Sequence, residues 1–227
     1  MPSRNVIKIY IENGYYHIYN RGVEKRIIFK DTQDYKVFLT YLKEYLSPPP
    51  KPEHIKTIFI LQGESFKGIK RQPKNYYKEI ELISYCLMPN HFHLLIKQVS
   101  KYSIEKFIRS LATRYSVFFN KKYNRVGSLF QGPYKAVLIS SENYLLHLSR
   151  YIHLNPSEYT DDLINSYSSY AAYLGLRRTN WVNSDIVLNY FNKPVVKDFI
   201  KVNTYKRFVE KYKKDSRKLL GKLTLEN

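Results

Sequence analysis

His91 and His93 lie two residues apart in the stretch "MPNHFHLLI", which spans residues 88–96. Side chains alternate along a β-strand, so both imidazoles share one face, while Phe92 and Leu94 share the other. At two strand rises, roughly 7 Å, the imidazoles can converge on one cation and bond to it at about 2.1 Å. The alternative interpretation is a histidine pair on an exposed sheet face.

A predicted helix that begins at Ser140 or Ser141 and ends near Asn155 carries a second set of polar residues. His147, Tyr151 and Asn155 recur at four-residue steps and therefore share one face of this helix. The phenol of Tyr151 could meet a substrate there, while the amide oxygen of Asn155 completes a metal shell. Since the chain has 23 tyrosines, a purely structural role for Tyr151 is the competing interpretation.

The hydrophobic pattern predicts the elements that position these residues. Strands are expected at 15–20, 81–88 and 91–98, helices at 31–46 and 103–122, and a further strand just before the helix that ends near Asn155. Pro89 and Asn90 suit type I or II turns rather than primed turns, so we expect a connection looser than two residues. This order fits an α+β fold, a ferredoxin-like antiparallel sheet with helices packed on it.

Composition changes along the chain predict two regions. Residues 1–156 would form a catalytic domain, with an elaboration at about 47–78 that begins with "SPPPKP" and contains a possible strand at 57–61. Residues 157–227 would form a mostly helical, basic C-terminal extension. Its last part, Lys197 to Asn227, has ten Lys or Arg against four acidic residues, which predicts a solvated helix face or an arm that grips a nucleic-acid backbone.

The charge balance favours a polyanionic partner. The chain has 38 Lys and Arg against 19 acidic residues, a formal net charge of +19, and cationic side chains bind nucleic acids by releasing counterions. Cys86 is the only cysteine, which excludes an intrachain disulfide and a multi-cysteine zinc site. No apolar stretch approaches the roughly 20 residues that span a bilayer, so we expect a soluble, cytoplasmic, nucleoid-associated protein.

Polar and basic residues around the two motifs are candidate contacts to phosphates or bases. These predicted DNA-binding residues are Asn20, Arg21, Arg114, Arg125, Gln131 and Lys135. His147, one helical turn before Tyr151, is a possible accessory base. Taken singly, each of these side chains also fits a solvated surface position.

The stretch "MPNHFHLLI" together with "SRYIHLNPSEY" resembles the paired signatures of the single-tyrosine HUH transposases, most closely the REP-associated tyrosine transposases. The opening "YYHIYNRGVEKRIIF" and the segment from "FIRSLATRY" to "YKAVLI" are also similar, and the resemblance covers roughly residues 10–175. It implies that His91 and His93 are metal ligands, that Tyr151 is the nucleophile, and that Asn155 is the third ligand where many relatives use a glutamine.

The resemblance also implies the function of the protein. A member of this family is expected to be a metal-dependent single-stranded DNA endonuclease and strand transferase, which uses Mg²⁺ or Mn²⁺ and forms a covalent 5′-phosphotyrosine. The expected partner is single-stranded DNA or a DNA hairpin at palindromic repeat ends, bound by a monomer or a homodimer. The alternative is a non-catalytic or domesticated protein that binds single-stranded DNA or RNA hairpins, since ferredoxin-like sheets also serve as RNA-binding platforms. On ligand types alone, zinc remains an alternative metal.

Overall fold

The computed structural model describes residues 8–69, 71–192 and 204–211. Its strands are β1 (Tyr15–Arg21), β2 (Lys56–Leu61), β3 (Glu64–Ile69), β4 (Ile80–Met88), β5 (His91–Gln98) and β6 (Lys135–Ile139). Its helices are α1 (Thr32–Leu46), α2 (Ser103–Lys122), α3 (Glu142–Leu154), α4 (Tyr170–Tyr173), α5 (Asp185–Asn192) and α6 (Tyr205–Glu210). The strands and helices predicted up to residue 155 are all present.

Four strands form one antiparallel sheet in the order β4-β5-β1-β6. On one face of β5, the ring of Phe92 lies 5.3 Å from that of Phe38 in α1. On the other face, the ring of His93 lies 5.4 Å from that of Tyr151 in α3. Helices therefore cover both faces of the sheet, and the predicted α+β fold is confirmed.

The helices α1 and α2 are joined at one end by a network of charges. Asp31 caps α1, since its carboxylate accepts the backbone N–H groups of Gln33 at 2.9 Å and Asp34 at 3.1 Å. The ammonium group of Lys122, at the end of α2, lies 2.8 Å from Asp31 and 2.7 Å from Asp34. At its other end α1 stops before Ser47, where the proline run begins.

The connection between β4 and β5 is tighter than the sequence suggested. Met88 pairs with His91, so Pro89 and Asn90 alone form the turn. Neither residue has a positive φ, and the turn is accordingly not of the primed type. The expected looser loop is wrong because a distant segment holds the turn: the carbonyl oxygen of Pro89 accepts the backbone N–H of Ile28 at 2.8 Å.

The helix α3 begins and ends where the sequence predicted. The hydroxyl oxygen of Ser141 accepts the backbone N–H of Tyr144 at 3.3 Å and so caps the first turn. The helix ends at Leu154, and a 3-10 turn over Asn155–Glu158 follows, with Pro156 inside it. Asn155 thus lies just beyond the last turn of the helix, next to the sheet.

Residues 47–78 contain one strand that the sequence indicated and one that it missed. The strand β2 matches the possible strand at 57–61, and β3 pairs with it in antiparallel register. Gln62 and Gly63 join the two strands with φ values of 51° and 85°, as a primed two-residue turn requires. Glutamine adopts a positive φ less readily than asparagine, so this turn left only a weak signal in the sequence.

The described residues after position 156 cover the free edge of β4. The backbone N–H of Leu87 donates to the carbonyl oxygen of Tyr167 at 2.9 Å, and that of Asn183 donates to Leu82 at 2.7 Å. An uncovered strand edge would invite pairing with another chain, and this segment removes that risk. The domain boundary at residue 156 stays a prediction.

A buried network attaches α6 to the back of α3. The two ring nitrogens of His153 lie 2.7 Å from the hydroxyl of Tyr205 and 2.7 Å from the hydroxyl of Ser169. Most of the basic run from Lys197 to Asn227 lies outside the described residues. No helix in the described part of the chain is long and apolar enough to cross a membrane.

Candidate active site

The imidazoles of His91 and His93 lie on the face of β5 that α3 covers. Their ring centroids are 4.9 Å apart. In the neighbouring strand β1, Arg21 pairs with His91 and Tyr19 pairs with His93. Directly paired residues project to the same face of a sheet, so all four side chains line the surface beneath α3.

His93 is fully buried, and hydrogen bonding accounts for only one of its ring nitrogens. Nδ1 lies 2.9 Å from Nε2 of His17 in β1. Within the described part of the chain, Nε2 of His93 has no hydrogen-bond partner. Leaving a buried polar atom unsatisfied costs about 1–3 kcal/mol, so this nitrogen marks a place where a ligand would be stabilising.

His91 lies between two carboxamides. Its Nδ1 is 2.6 Å from Oδ1 of Asn90, and its Nε2 is 3.3 Å from Oδ1 of Asn155. A neutral imidazole carries a hydrogen on only one nitrogen, so it can donate to only one of these oxygens. With Nδ1 donating to Asn90, the lone pair of Nε2 faces the oxygen of Asn155. A cation at this point would relieve that repulsion.

Burial keeps both imidazoles neutral near pH 7. Desolvation lowers the pKa of His91 to about 4; the oxygen of Asn155, to which the protonated ring would donate, opposes this shift, and the charge of Arg21 adds to it. Desolvation also holds the pKa of His93 well below its usual value, with smaller contributions from His91 and His17. The neutral imidazole is the form that binds a metal ion.

The donor atoms fit a divalent cation. The 3.3 Å between Nε2 of His91 and Oδ1 of Asn155 is the separation of two atoms bonded at about 2.1 Å to one ion, at an angle of about 100°. Among residues 8–69, 71–192 and 204–211, no three His, Cys, Asp or Glu side chains are grouped so that they could hold a metal. The candidate third ligand beside the two histidines is therefore an amide, that of Asn155.

Tyr151 lies beside the histidines of its own chain. Its ring centroid is 5.4 Å from that of His93 and 6.3 Å from that of His17. The backbone N–H of Asn155 donates to the carbonyl oxygen of Tyr151, which places the two side chains one helical turn apart. These distances place the phenol close to the imidazoles. Tyr151 is 4% exposed, so little of the residue reaches solvent.

His147 precedes Tyr151 by one helical turn, and its ring is engaged elsewhere. The guanidinium of Arg150 donates to Nδ1 of His147 at 2.8 Å, and the ring of Phe208 lies 5.9 Å away. Because Nδ1 accepts a hydrogen bond, a neutral His147 carries its hydrogen on Nε2 and acts as a donor there. This arrangement does not favour His147 as a base for the phenol.

Three of the predicted DNA contacts form a polar and basic rim beside the imidazoles. Arg21 is paired with His91 across the sheet, and its Nε donates to Oε1 of Gln131 at 2.6 Å. Lys135 in β6 is paired with Tyr19, which puts it on the same face as the histidines. The rim, Arg21, Gln131 and Lys135, thus borders the place where a phosphate would approach Tyr151.

Asn20 and Arg125 do not lie on the face of the sheet that carries the two histidines. Side chains alternate along β1, so Asn20 points to the opposite face from Tyr19 and Arg21. It is 6% exposed, and its amide donates to the carbonyl oxygen of Gly132 at 3.2 Å. It borders a cleft of about 1040 Å³ between α2 and the loop at 127–134. Arg125 donates to the side chain of Asn120 at 2.8 Å, next to the same loop.

Arg114 is not brought to the candidate site. It forms an ion pair with Glu44 at 2.6 Å, and its guanidinium lies 3.7 Å from the ring centroid of Tyr41. Its helix, α2, packs with α1 on the face of the sheet opposite to Tyr151. The DNA contact predicted for Arg114 therefore has no support from its position.

The sequence reasoning missed His17. This imidazole is fully buried, lies 4.7 Å from the ring of Tyr19, and fixes the orientation of His93. The only sequence signal for His17 was its alternation with Tyr19 along a short strand. Its link to His93 depends on which strands are neighbours in the sheet, and local periodicity does not give that.

Comparison with known families supplies independent information. The family model described as "Transposase IS200 like" matches residues 63–155, a segment that contains His91, His93 and Tyr151. Residues 63–155 therefore resemble the IS200-like transposases. The predicted relation to transposases is therefore confirmed, and the relation is to proteins that process DNA.

One solved structure shares the fold of this chain. A structure of a REP-associated tyrosine transposase bound to a REP hairpin matches with a TM-score of 0.51 and 13% identity, covering 80% of this chain and 92% of the other. A crystal structure of a transposase candidate from Deinococcus radiodurans R1 matches with a TM-score of 0.36 and 14% identity, covering 67% and 95%. No curated protein shows significant sequence similarity.

Proposed function

We propose that this protein is an IS200-like transposase, a metal-dependent endonuclease and strand transferase that cleaves single-stranded DNA next to hairpins. Cleavage would pass through a covalent 5′-phosphotyrosine at Tyr151. The observation that carries the proposal is the phenol ring 5.4 Å from His93, whose Nε2 is buried without a hydrogen-bond partner among the described residues. Binding of nucleic acid alone would not require this combination of groups.

His91, His93 and Asn155 would hold the cation, which we propose is Mg²⁺ or Mn²⁺. When bound, the cation supplies Lewis-acid chemistry at the scissile phosphate. His17 and Asn90 contact the remaining ring nitrogens of the two histidines, at 2.9 and 2.6 Å. Such outer contacts fix the ring orientation and the tautomer, so that Nε2 of each imidazole stays directed at the ion.

The chemical step is a transesterification at phosphorus. The phenol oxygen of Tyr151 attacks in line and forms a bond to phosphorus, while the bond from phosphorus to the 3′ oxygen breaks. The phenol loses its proton and the departing 3′ oxygen gains one, which leaves a free 3′-hydroxyl. No water is consumed, so a second 3′-hydroxyl can reverse the step and join a new strand.

The rim and the net charge of +19 support DNA as the substrate. The solved structural neighbour is bound to a REP hairpin, which supports hairpins at palindromic repeat ends as the partner of this chain. Tyr151 lies beside the histidines of its own chain, so we propose that it acts in cis. Because Tyr151 is only 4% exposed, neighbouring side chains must move when DNA enters.

Incubation of the purified chain with Mn²⁺ and a labelled hairpin oligonucleotide with single-stranded flanks tests the proposal on a denaturing gel. We expect a band in which the protein is linked to the 5′ end of the strand on the 3′ side of the cut. Tyr151→Phe should abolish this band. Tyr144→Phe, at a tyrosine on the same helix that is 42% exposed, is the matched control and should retain it. An adduct that survives in Tyr151→Phe would rule out the assigned nucleophile.

The low exposure of Tyr151 favours one second candidate, a protein that binds DNA or RNA hairpins without cutting them. In that case the wild-type chain would shift a labelled hairpin on a native gel. No protein-linked band would form with either metal, and Tyr151→Phe would bind as the wild type does.

A further inference from the structure

The hairpin formed by β2 and β3, residues 56–69, exposes apolar side chains on both of its faces. Ile58 and Ile60 are 65% and 76% exposed on one face. On the other face Leu61 is 65% exposed, and Phe66 is 49% exposed and stacks on Phe59 with ring centroids 5.5 Å apart. Apolar residues clustered in this way mark an interaction surface rather than an ordinary solvated loop.

This projecting hairpin is anchored at its base but is not part of the core. In the described part of the chain, no residue between Leu46 and Tyr76 belongs to the hydrophobic core. The amide of Asn75 donates to the carbonyl oxygen of Ser47 at 2.9 Å, and the backbone N–H of Tyr76 donates to Tyr45 at 2.7 Å. A two-stranded hairpin alone is marginally stable in water, so a partner would stabilise it.

The charge around the projecting hairpin indicates the kind of partner. Residues 51–78 contain six Lys and one Arg against two Glu. Lys56 and Lys67 lie within the strands, are exposed, and share a face with Ile58 and Ile60. Two copies of this surface would repel each other, whereas a phosphate backbone would be attracted. Apolar side chains flanked by lysines are also what proteins insert between base steps or against the sugars of a duplex.

The anchor of the projecting hairpin lies at the far end of β4 from the candidate active site. Tyr76 in this anchor accepts the backbone N–H of Ile80, the first residue of β4, at 3.0 Å, whereas Met88 at the other end of β4 pairs with His91. The eight residue steps of this strand span about 27 Å. Stacked base pairs rise about 3.4 Å each, so about eight of them bridge the same length.

We propose that the projecting hairpin grips the duplex stem of the DNA hairpin, about eight base pairs from the scissile phosphate. The inference rests on the proposed hairpin substrate. Lys56 and Lys67 neutralise phosphates of the stem, and Ile58 and Ile60 on the same face of the projecting hairpin contact its groove. Short stems end before the projecting hairpin, so it selects for longer palindromes.

The test measures binding of the full chain to two DNA hairpins with the same loop and flanks, one with a stem of about 14 base pairs and one of about 5. Ile60→Ser should raise the Kd for the long stem about fivefold or more and leave the short stem unchanged. The double variant Lys56→Ala/Lys67→Ala should lower the dependence of log K on log salt by about 1.8 for the long stem only. Val126→Ser and Lys36→Ala, at exposed positions elsewhere, are matched controls that should change neither.

Three results would overturn the inference. Equal losses on both stems, or no loss on either, would show that the projecting hairpin does not contact the stem. A wild-type dimer that becomes monomeric in Ile60→Ser with unchanged DNA affinity would assign the surface to self-association. If the wild-type protein still binds and cleaves DNA in any of these cases, the proposed function stands and only the role of the projecting hairpin is rejected. A wild-type protein that binds neither DNA hairpin contradicts both the proposed function and this inference.

Discussion

The candidate active site and the projecting hairpin belong to the same chain but are held in place by different means. His17 and His93 are fully buried, and two strands and a helix contact them. Ile58 and Ile60 are mostly exposed and belong to β2, which pairs with β3. The geometry of the site therefore depends on the whole fold, whereas the projecting hairpin depends on local pairing and on a partner.

The largest effect is expected for the buried candidate active site. His93→Ala removes a proposed ligand, so covalent adduct formation with Mn²⁺ should fall at least about 100-fold. The measurement is the rate of adduct formation on a denaturing gel. His147→Ala is the control, one helical turn before Tyr151 and engaged with Arg150 and Phe208, and should stay close to the wild-type rate. Wild-type protein treated with a chelator should lose activity as His93→Ala does, and full activity without metal would contradict the proposed metal site.

Stability should also separate the two regions. Phe92→Ala removes a fully buried ring that packs on α1 and should lower the free energy of unfolding by about 3–5 kcal/mol. Ile60→Ala in the projecting hairpin should change it by no more than about 0.5 kcal/mol. Denaturant unfolding of the two variants provides the measurement. Similar losses would show that the hairpin belongs to the cooperative core.

The sequence predicted the elements whose signals are local. The caps of α1 and α3 and the apolar stripes of α1, α2 and α3 follow from local sequence, and alternation alone places His91 and His93 on one face. The helix α2 begins at Ser103 without a side-chain cap. The turn at Pro89 and Asn90 was misjudged because a hydrogen bond from Ile28, sixty-one residues earlier, stabilises it.

The site itself was only partly predictable. Tyr151 and Asn155 followed from four-residue steps on a helix, but His17 became part of the site only through the pairing of β1 with β5. Arg114 was predicted at the site but does not lie there, because its local sequence does not indicate which face of the sheet its helix covers. Strand order and helix placement are non-local properties that periodicity does not contain.

A smaller effect should distinguish a positioning residue from a ligand. His17→Ala removes the hydrogen-bond partner of His93 and should weaken Mn²⁺ binding by about 10- to 100-fold without abolishing it. Titration of the metal, together with the dependence of cleavage on metal concentration, provides the measurement. Saturating Mn²⁺ should restore much of the activity of His17→Ala but not that of His93→Ala. Identical behaviour of the two variants would contradict the separate roles.

The most direct test of the central claim identifies the residue that carries the DNA. The protein–DNA adduct is digested with a protease and a nuclease, and the linked peptide is sequenced by mass spectrometry. The structure predicts a 5′-phosphate on the phenol oxygen of Tyr151, in the peptide that also contains His153 and Asn155. A phosphate linked to another tyrosine, or cleavage with no linked peptide at all, would contradict it.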